Sequence, residues 1–318
     1  MWRLDSVSPC LCVKNRRDVA KSSLAINFEY FLLRFFCAVV NVIPYPLAMA
    51  AARGLGWTAF HVFRFKRRRT VARIRGVFPQ KSVREANAIA VRSLQNVLQT
   101  GVEMMRAPTL DRAWMDRHVL DGALYRDRLQ AYVDEGKGVV IMVPHSGNWY
   151  MAAWSMAKYG LPLFAIAARQ RNPKLNAWMN RQYGDIEVLD RDSRNTLSLI
   201  REKLAAGRAF AILSDLRVRK KDVEADFFGG KANVSRSAAA FAVKAGCPIV
   251  VAIMSRQDGR HVFNHIGTLR PNPDATDKKE EARSLTREAL KLLSDEIMKR
   301  PEDWYWYNKR WILEPPTE

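Results

Sequence analysis

Acidic residues and cysteines are scarce in this chain of 318 residues, and each shortage excludes something. The 32 Asp and Glu face 52 Lys and Arg, for a net charge of +20. Such an excess points to an anionic partner: nucleic acid, an acidic membrane surface, or an acidic or phosphorylated substrate. Four cysteines, Cys10, Cys12, Cys37 and Cys247, show no metal-ligand spacing and no disulfide framework. A reducing compartment and no metal site follow. The chain has no G-x-G-x-x-G, no P-loop and no H-E-x-x-H, so nucleotide and zinc chemistry lack local support and no cofactor is expected. It also lacks a clean apolar run of about 20 residues. The Phe- and Val-rich stretch 28–63 is interrupted by Arg34, Asn41, Pro44 and Pro46.

Charge is loaded toward the front. Residues 1–80 hold 14 Lys and Arg against 3 Asp and Glu. Residues 1–23 read as a disordered basic leader, 24–80 as a membrane-associated helical segment, and 81–318 as the main domain. Ala48-Met49-Ala50 imitates a signal-peptide cleavage site, but the basic block that follows argues against one. That block, Arg64, Lys66, Arg67, Arg68 and Arg69, continues through Arg73 and Arg75. A basic cluster just past an apolar segment suits contact with anionic lipid on the cytoplasmic side. Nucleic acid is the less favoured partner, because the charge does not interleave with stacking aromatics and no binding motif is present.

Helical periodicity runs through 83–106, and from residue 138 the pattern becomes α/β. Strands are predicted at 139–143, 163–167, 186–189, 209–214, 249–254 and 261–266. Helices at 147–158, 174–183, 194–205, 235–245 and 279–299 alternate with most of them. The run Val139–Val143 reads as a buried strand that Pro144 stops, and His145 follows directly. A histidine at the carboxyl end of a buried strand sits where α/β folds open their ligand crevices, which favours a catalytic base over a core-edge residue.

His145-Ser146-Gly147-Asn148-Trp149 resembles the H-x-G-N-W-[DE] block of the lysophospholipid acyltransferase superfamily. Within it the chain most resembles the bacterial lipid A secondary (lauroyl/myristoyl) acyltransferases and the related phosphatidylinositol mannoside acyltransferases. Three further blocks follow in order: Arg169-Gln170-Arg171-Asn172-Pro173, Asp215 followed by Phe227-Phe228-Gly229, and the ending Trp304-Tyr305-Trp306-Tyr307-Asn308-Lys309-Arg310-Trp311. The last also suits a membrane interface or a core-closing segment. The resemblance covers roughly residues 24–313. It departs from the family pattern at Tyr150, where the motif has a carboxylate, and at Asn308, where the ending has a histidine.

The resemblance implies a glycerol-3-phosphate-acyltransferase-like mixed α/β sheet flanked by helices, behind an apolar, membrane-associated N-terminal segment. It also implies transfer of a fatty acyl chain from acyl carrier protein or acyl-CoA to a hydroxyl of a membrane glycolipid, such as a lipid A precursor. The place would be the cytoplasmic face of a bacterial inner membrane. His145 would be the general base, a role worth about 10²–10⁴-fold. Tyr150, a third catalytic candidate, can hydrogen-bond the histidine but supplies no charge at neutral pH, so Asp215, ending a neighbouring strand, is expected to replace the missing carboxylate. Gly147 and Asn148 backbone groups, or Arg169 with Arg171 and Asn172, would meet the oxyanion or substrate. Trp149, Phe227 and Phe228 would line an acyl pocket, the two phenylalanines being equally apolar enough to belong to the core. The alternatives are a catalytically impaired relative that binds lipid or acyl carrier, and a basic nucleic-acid-binding protein.

Overall fold

The computed structural model describes residues 22–314. Helix α1 (Ser23–Val42) is continuous: Arg34 and Asn41 lie within it, and the prolines fall beyond its end. By length and composition it could cross a membrane, so the stretch that reads as broken in sequence does contain one long apolar helix. Pro46 stands in the first turn of α2 (Tyr45–His61), where its missing N–H has no intrahelical partner to lose. The basic block does not stay a surface tail. It opens α3 (Arg67–Val77), and Arg73 is buried in it, its Nη1 donating to the carbonyl of Asn308 at 2.7 Å.

Helix α4 (Val83–Arg106) spans the predicted residues. Ser82 and Glu85 close a capping box: Ser82 Oγ accepts from the Glu85 amide at 3.2 Å, and Glu85 Oε2 accepts from the Ser82 amide at 2.8 Å. Its apolar face, Ala86, Ala90 and Leu94, packs with Phe60 of α2 and Ile74 of α3. Two short helices left unassigned by periodicity, α5 (Arg112–His118) and α6 (Gly122–Tyr132), lead to the sheet.

The strands are β1 (Val119–Leu120), β2 (Val139–Val143), β3 (Leu163–Ala167), β4 (Glu187–Asp190), β5 (Ala209–Leu213), β8 (Ile249–Gln257) and β9 (Arg260–Leu269). They form one mixed sheet in the order β1-β9-β8-β2-β5-β3-β4, with only β8 and β9 antiparallel. Helices α7 (Trp149–Lys158), α8 (Pro173–Gln182), α9 (Thr196–Ala205), α10 (Ser237–Ala245) and α11 (Lys278–Lys299) flank it. Strand β2 is central and covered on both faces, which is why it reads as an unbroken apolar run. Val140 and Met142 join the core with α4, α10 and α11, whereas Val139 and Ile141 join the core with α6 and α7. A separate hairpin of β6 (Val223–Phe227) and β7 (Gly230–Val234), turning at Phe228-Gly229, was not anticipated.

Candidate active site

Strands β2, β5 and β3 run parallel and end at one edge of the sheet. Pro144 stops β2 and His145 leaves its carboxyl end, while Asp215 follows β5, the next strand. Their side chains meet. His145 Nδ1 lies 2.6 Å from Asp215 Oδ1, and the His145 amide donates to Asp215 Oδ2 at 2.8 Å. The same Oδ2 accepts from the indole Nε1 of Trp304 at 2.7 Å. Asp215 is fully enclosed, but 16% of the His145 side chain remains exposed, so the ring can be reached from outside while its carboxylate cannot.

Burial by itself raises the Asp215 carboxyl. The charge of the His145 ring, with the hydrogen bonds from His145 and Trp304, outweighs it and holds the group below the ordinary carboxylate value. Asp215 is therefore ionised at neutral pH. With Nδ1 turned to it, the imidazole presents Nε2 as its free nitrogen, the arrangement a general base needs.

The turn after His145 is pinned by the C-terminal segment. Tyr305 N donates to the His145 carbonyl at 2.9 Å, and Gly147 N donates to the Asp303 carbonyl at 2.8 Å. Gly147 has φ of +56°, and a Cβ there would lie 1.7 Å from the carbonyl oxygen of Met254. Only glycine lets the chain pass this close to β8. Asn148 then caps α7, accepting from Met151 N at 2.8 Å, and its Nδ2 donates to Glu103 Oε2 at 2.5 Å.

Glu103, on α4, is the centre of a second buried cluster that the sequence did not reveal. It takes a bidentate pair from Arg256 at 2.8 and 2.6 Å, a bond from Tyr45 at 2.6 Å, and lies 3.0 Å from His261 Nε2. Burial pushes its carboxyl up, but His261 and Arg256 together hold it far below the usual range. Read on a helix between Val102 and Met104, Glu103 looks like an ordinary solvated position. Only the fold brings β8 and β9 to it.

Several expected roles are not met by the geometry. Tyr150 is buried on α7 and donates its hydroxyl to the Gln182 carbonyl, so it does not reach His145. The second residue of a helix whose Asn148 cap faces α4 is turned toward α8 instead. The amide of Gly147 is committed to Asp303, which leaves it no oxyanion donor, and the side chain of Asn148 is committed to Glu103 and the start of α7. Asn172 is a buried N-cap of α8, not a substrate ligand: its Oδ1 accepts from Lys174 N at 3.0 Å, and its Nδ2 donates to the Ile26 carbonyl at 3.0 Å. Arg169 and Arg171 are exposed after β3, two strands from β2, with Arg169 on a polar groove beside Asn176 and Asp190.

Phe227 and Phe228 are core residues. They pack on one another and on Trp304, with ring centroids 6.2 and 5.1 Å from that indole, and so support the donor to Asp215. Trp304, Trp306 and Tyr307 are fully buried, making the aromatic ending a core-closing segment. The residue that does face an apolar cleft is Trp149, whose ring meets His145 edge-on with centroids 5.3 Å apart. That cleft is narrow, with a cavity volume of about 30 Å³, and is walled by Leu129, Ile141, Ala152, Met156 and Phe263, with Pro144 and Ser146 at the histidine. The Ser146 hydroxyl is buried and has no hydrogen-bond partner among the described residues. Of the basic block, Arg64, Lys66, Arg68 and Arg69 are exposed, while Arg67 binds Asn87 at 2.9 Å and covers the Phe60 ring.

Residues 18–312 match the family described as bacterial lipid A biosynthesis acyltransferase. A phosphatidylinositol mannoside acyltransferase of Mycolicibacterium smegmatis is 24% identical over 222 residues, covering 68% of this chain and 70% of its own length. One from Mycobacterium tuberculosis is 26% identical over 258 residues, covering 78% and 77%.

Proposed function

Because this chain belongs to the bacterial lipid A biosynthesis acyltransferase family and is thus an O-acyltransferase of glycolipids, we propose that it carries a fatty acyl chain from a thioester to a lipid A precursor, with His145 as base. The observation that carries the reading is the His145–Asp215 pair, whose neighbours Pro144, Ser146 and Trp149 line the apolar cleft. Phosphatidylinositol mannosides, the acceptors named for the mycobacterial relatives, are the second acceptor class to assay.

His145 Nε2 removes the proton from the acceptor hydroxyl as its oxygen attacks the thioester carbonyl. The tetrahedral intermediate collapses, the C–S bond breaks, and the imidazolium returns the proton to the leaving thiol. Asp215 stabilises the imidazolium through Nδ1; the oxygen lone pair becomes the ester C–O bond and the C–S pair leaves on sulfur, which takes the proton. With Gly147 spoken for, the unpartnered Ser146 hydroxyl at the cleft is suited to the oxyanion, and such a donor is worth about 10²–10³ in rate. The apolar walls of the cleft suit the acyl chain.

The donor is acyl carrier protein or acyl-CoA. Arg53, Arg92, Arg117 and Arg260 border a single cleft behind the His145 turn, and none makes an ion pair among the described residues. A surface of that kind favours an acidic carrier or the phosphates of coenzyme A. The enzyme works at the cytoplasmic face of the inner membrane, where exposed Arg64, Lys66, Arg68 and Arg69 meet anionic headgroups. The test is mass spectrometry of glycolipids from cells with and without the protein. Loss of one acyl mass supports the reading, and an unchanged glycolipid profile contradicts it.

A further inference from the structure

Helix α1 has two faces. Leu24, Phe28, Phe31, Phe35, Val39 and Val42 recur every three or four residues and are between 38% and 84% exposed, forming one continuous apolar stripe. The opposite face, with Ile26, Tyr30, Leu33, Cys37 and Asn41, is turned toward the domain and partly or fully covered.

Both ends of that inner face are bonded to the domain. At the start, Asn172 Nδ2 donates to the Ile26 carbonyl and to Glu29 Oε2, each at 3.0 Å, and Lys174 Nζ donates to Asn27 Oδ1 at 2.7 Å. At the finish, Arg106 Nη1 donates to the carbonyls of Val40 and Ile43 at 2.5 and 2.7 Å, and Asn41 Nδ2 donates to the Met105 carbonyl at 3.3 Å. A cation on the last carbonyls is also where the helix dipole favours one. The two docks are the loop after β3, on the sheet edge that carries His145 and Asp215, and the end of α4, one turn past the Glu103 that holds Asn148.

At about 1.5 Å per residue, 20 residues make a rod of about 30 Å, the thickness of the hydrocarbon core. A helix that crossed the bilayer would carry its ends to opposite sides. The ends of α1 are both held by one polar domain, which cannot stand on both sides of a membrane at once. We propose that α1 lies in the plane of the lipid surface as a monotopic anchor, its stripe sunk among the acyl chains and its inner face bolted across the catalytic edge. This rests on the membrane placement proposed above and specifies its geometry.

An in-plane helix of this kind is expected to bury its apolar face about 5–10 Å deep, strengthened by positive charge beside it. Arg171, exposed next to the Asn172 dock, and Lys174 supply that charge. The occupant that fits is thus an anionic lipid surface, and the arrangement brings the acceptor's own bilayer to the sheet edge that bears the base.

The test reads the sidedness of both helix ends in the full chain. In a Cys10→Ser, Cys12→Ser background, with buried Cys37 and Cys247 retained, Ser22→Cys and Pro44→Cys flank α1 at exposed positions. In sealed inverted inner-membrane vesicles, a membrane-impermeant maleimide should label both ends before permeabilisation. Labelling of one end only, with the other appearing after detergent, overturns the proposal. An epitope tag ahead of the wild-type chain gives the same answer without new cysteines: external protease should remove it from sealed inverted vesicles, and its protection overturns the in-plane anchor. Acyl transfer assayed in detergent micelles stands apart. If the chain fails to associate with vesicles yet transfers acyl groups, the membrane geometry is wrong and the enzymatic reading survives.

Discussion

Asp215 grips His145 at two points, one carboxylate oxygen on the ring nitrogen at 2.6 Å and the other on the backbone amide at 2.8 Å. The ring's position is thereby fixed relative to the end of β2, and the carboxylate stays ionised beside it. Asp215→Asn preserves shape but removes the charge that supports imidazolium. It is expected to lower the transfer rate by about 10⁴, the loss seen when a histidine base loses its carboxylate. A kcat within tenfold of wild type would show that the carboxylate is structural.

Trp304 acts on that carboxylate and not on the substrate. Trp304→Phe removes one charge-assisted hydrogen bond, worth about 1.5–3 kcal/mol, from Asp215. The expected outcome is a 10- to 100-fold fall in kcat with KM unchanged. A rise in KM at constant kcat would instead place the indole against substrate.

Tyr150 occupies the position where related motifs carry an acid, yet its hydroxyl belongs to the Gln182 carbonyl. Tyr150→Phe should leave kcat unchanged and cost about 0.5–1.5 kcal/mol of stability. Tyr150→Glu, which from sequence looks like a restoration, buries a carboxylate against a carbonyl and should destabilise the fold without raising activity. Thermal melts and initial rates on the two variants check this, and an activated Tyr150→Glu would contradict the placement.

Glu103 is a stability element with a definite pH sign. Its folded carboxyl titrates well below the unfolded value of about 4.3, so its contribution is complete above that value and is lost as pH falls toward the folded one. Glu103→Gln leaves Arg256 without its counter-charge and His261 without its carboxylate partner, and should cost about 3–5 kcal/mol at pH 7. Melting temperatures of wild type and variant should converge on acidification. A constant gap from pH 7 to pH 3 would show that the charge is not what the pair loses.

Much of this could be read in the chain because apolar runs and caps are local signals. The β2 run with Pro144 places His145, and Ser82 with Glu85 starts α4 where periodicity says it should. Asp215 was found through resemblance to an acyltransferase family, since nothing local to Ser214-Asp215-Leu216 says which histidine it meets. What escaped is non-local. Glu103 looks solvated until β8 and β9 close on it, and Arg73 looks like one more cation in a basic tract until the aromatic ending folds over it. The hairpin of β6 and β7 was hidden because Phe227-Phe228-Gly229 reads as pocket lining, whereas φ of +52° at Phe228 makes it a turn with its rings in the core.

The role of His145 is tested most directly by acyl transfer from a long-chain acyl thioester to a lipid A precursor in mixed micelles, with purified wild type and His145→Ala. Wild type should turn over, and a folded His145→Ala should give nothing above background. Equal turnover by the two proteins would show that His145 is not the base.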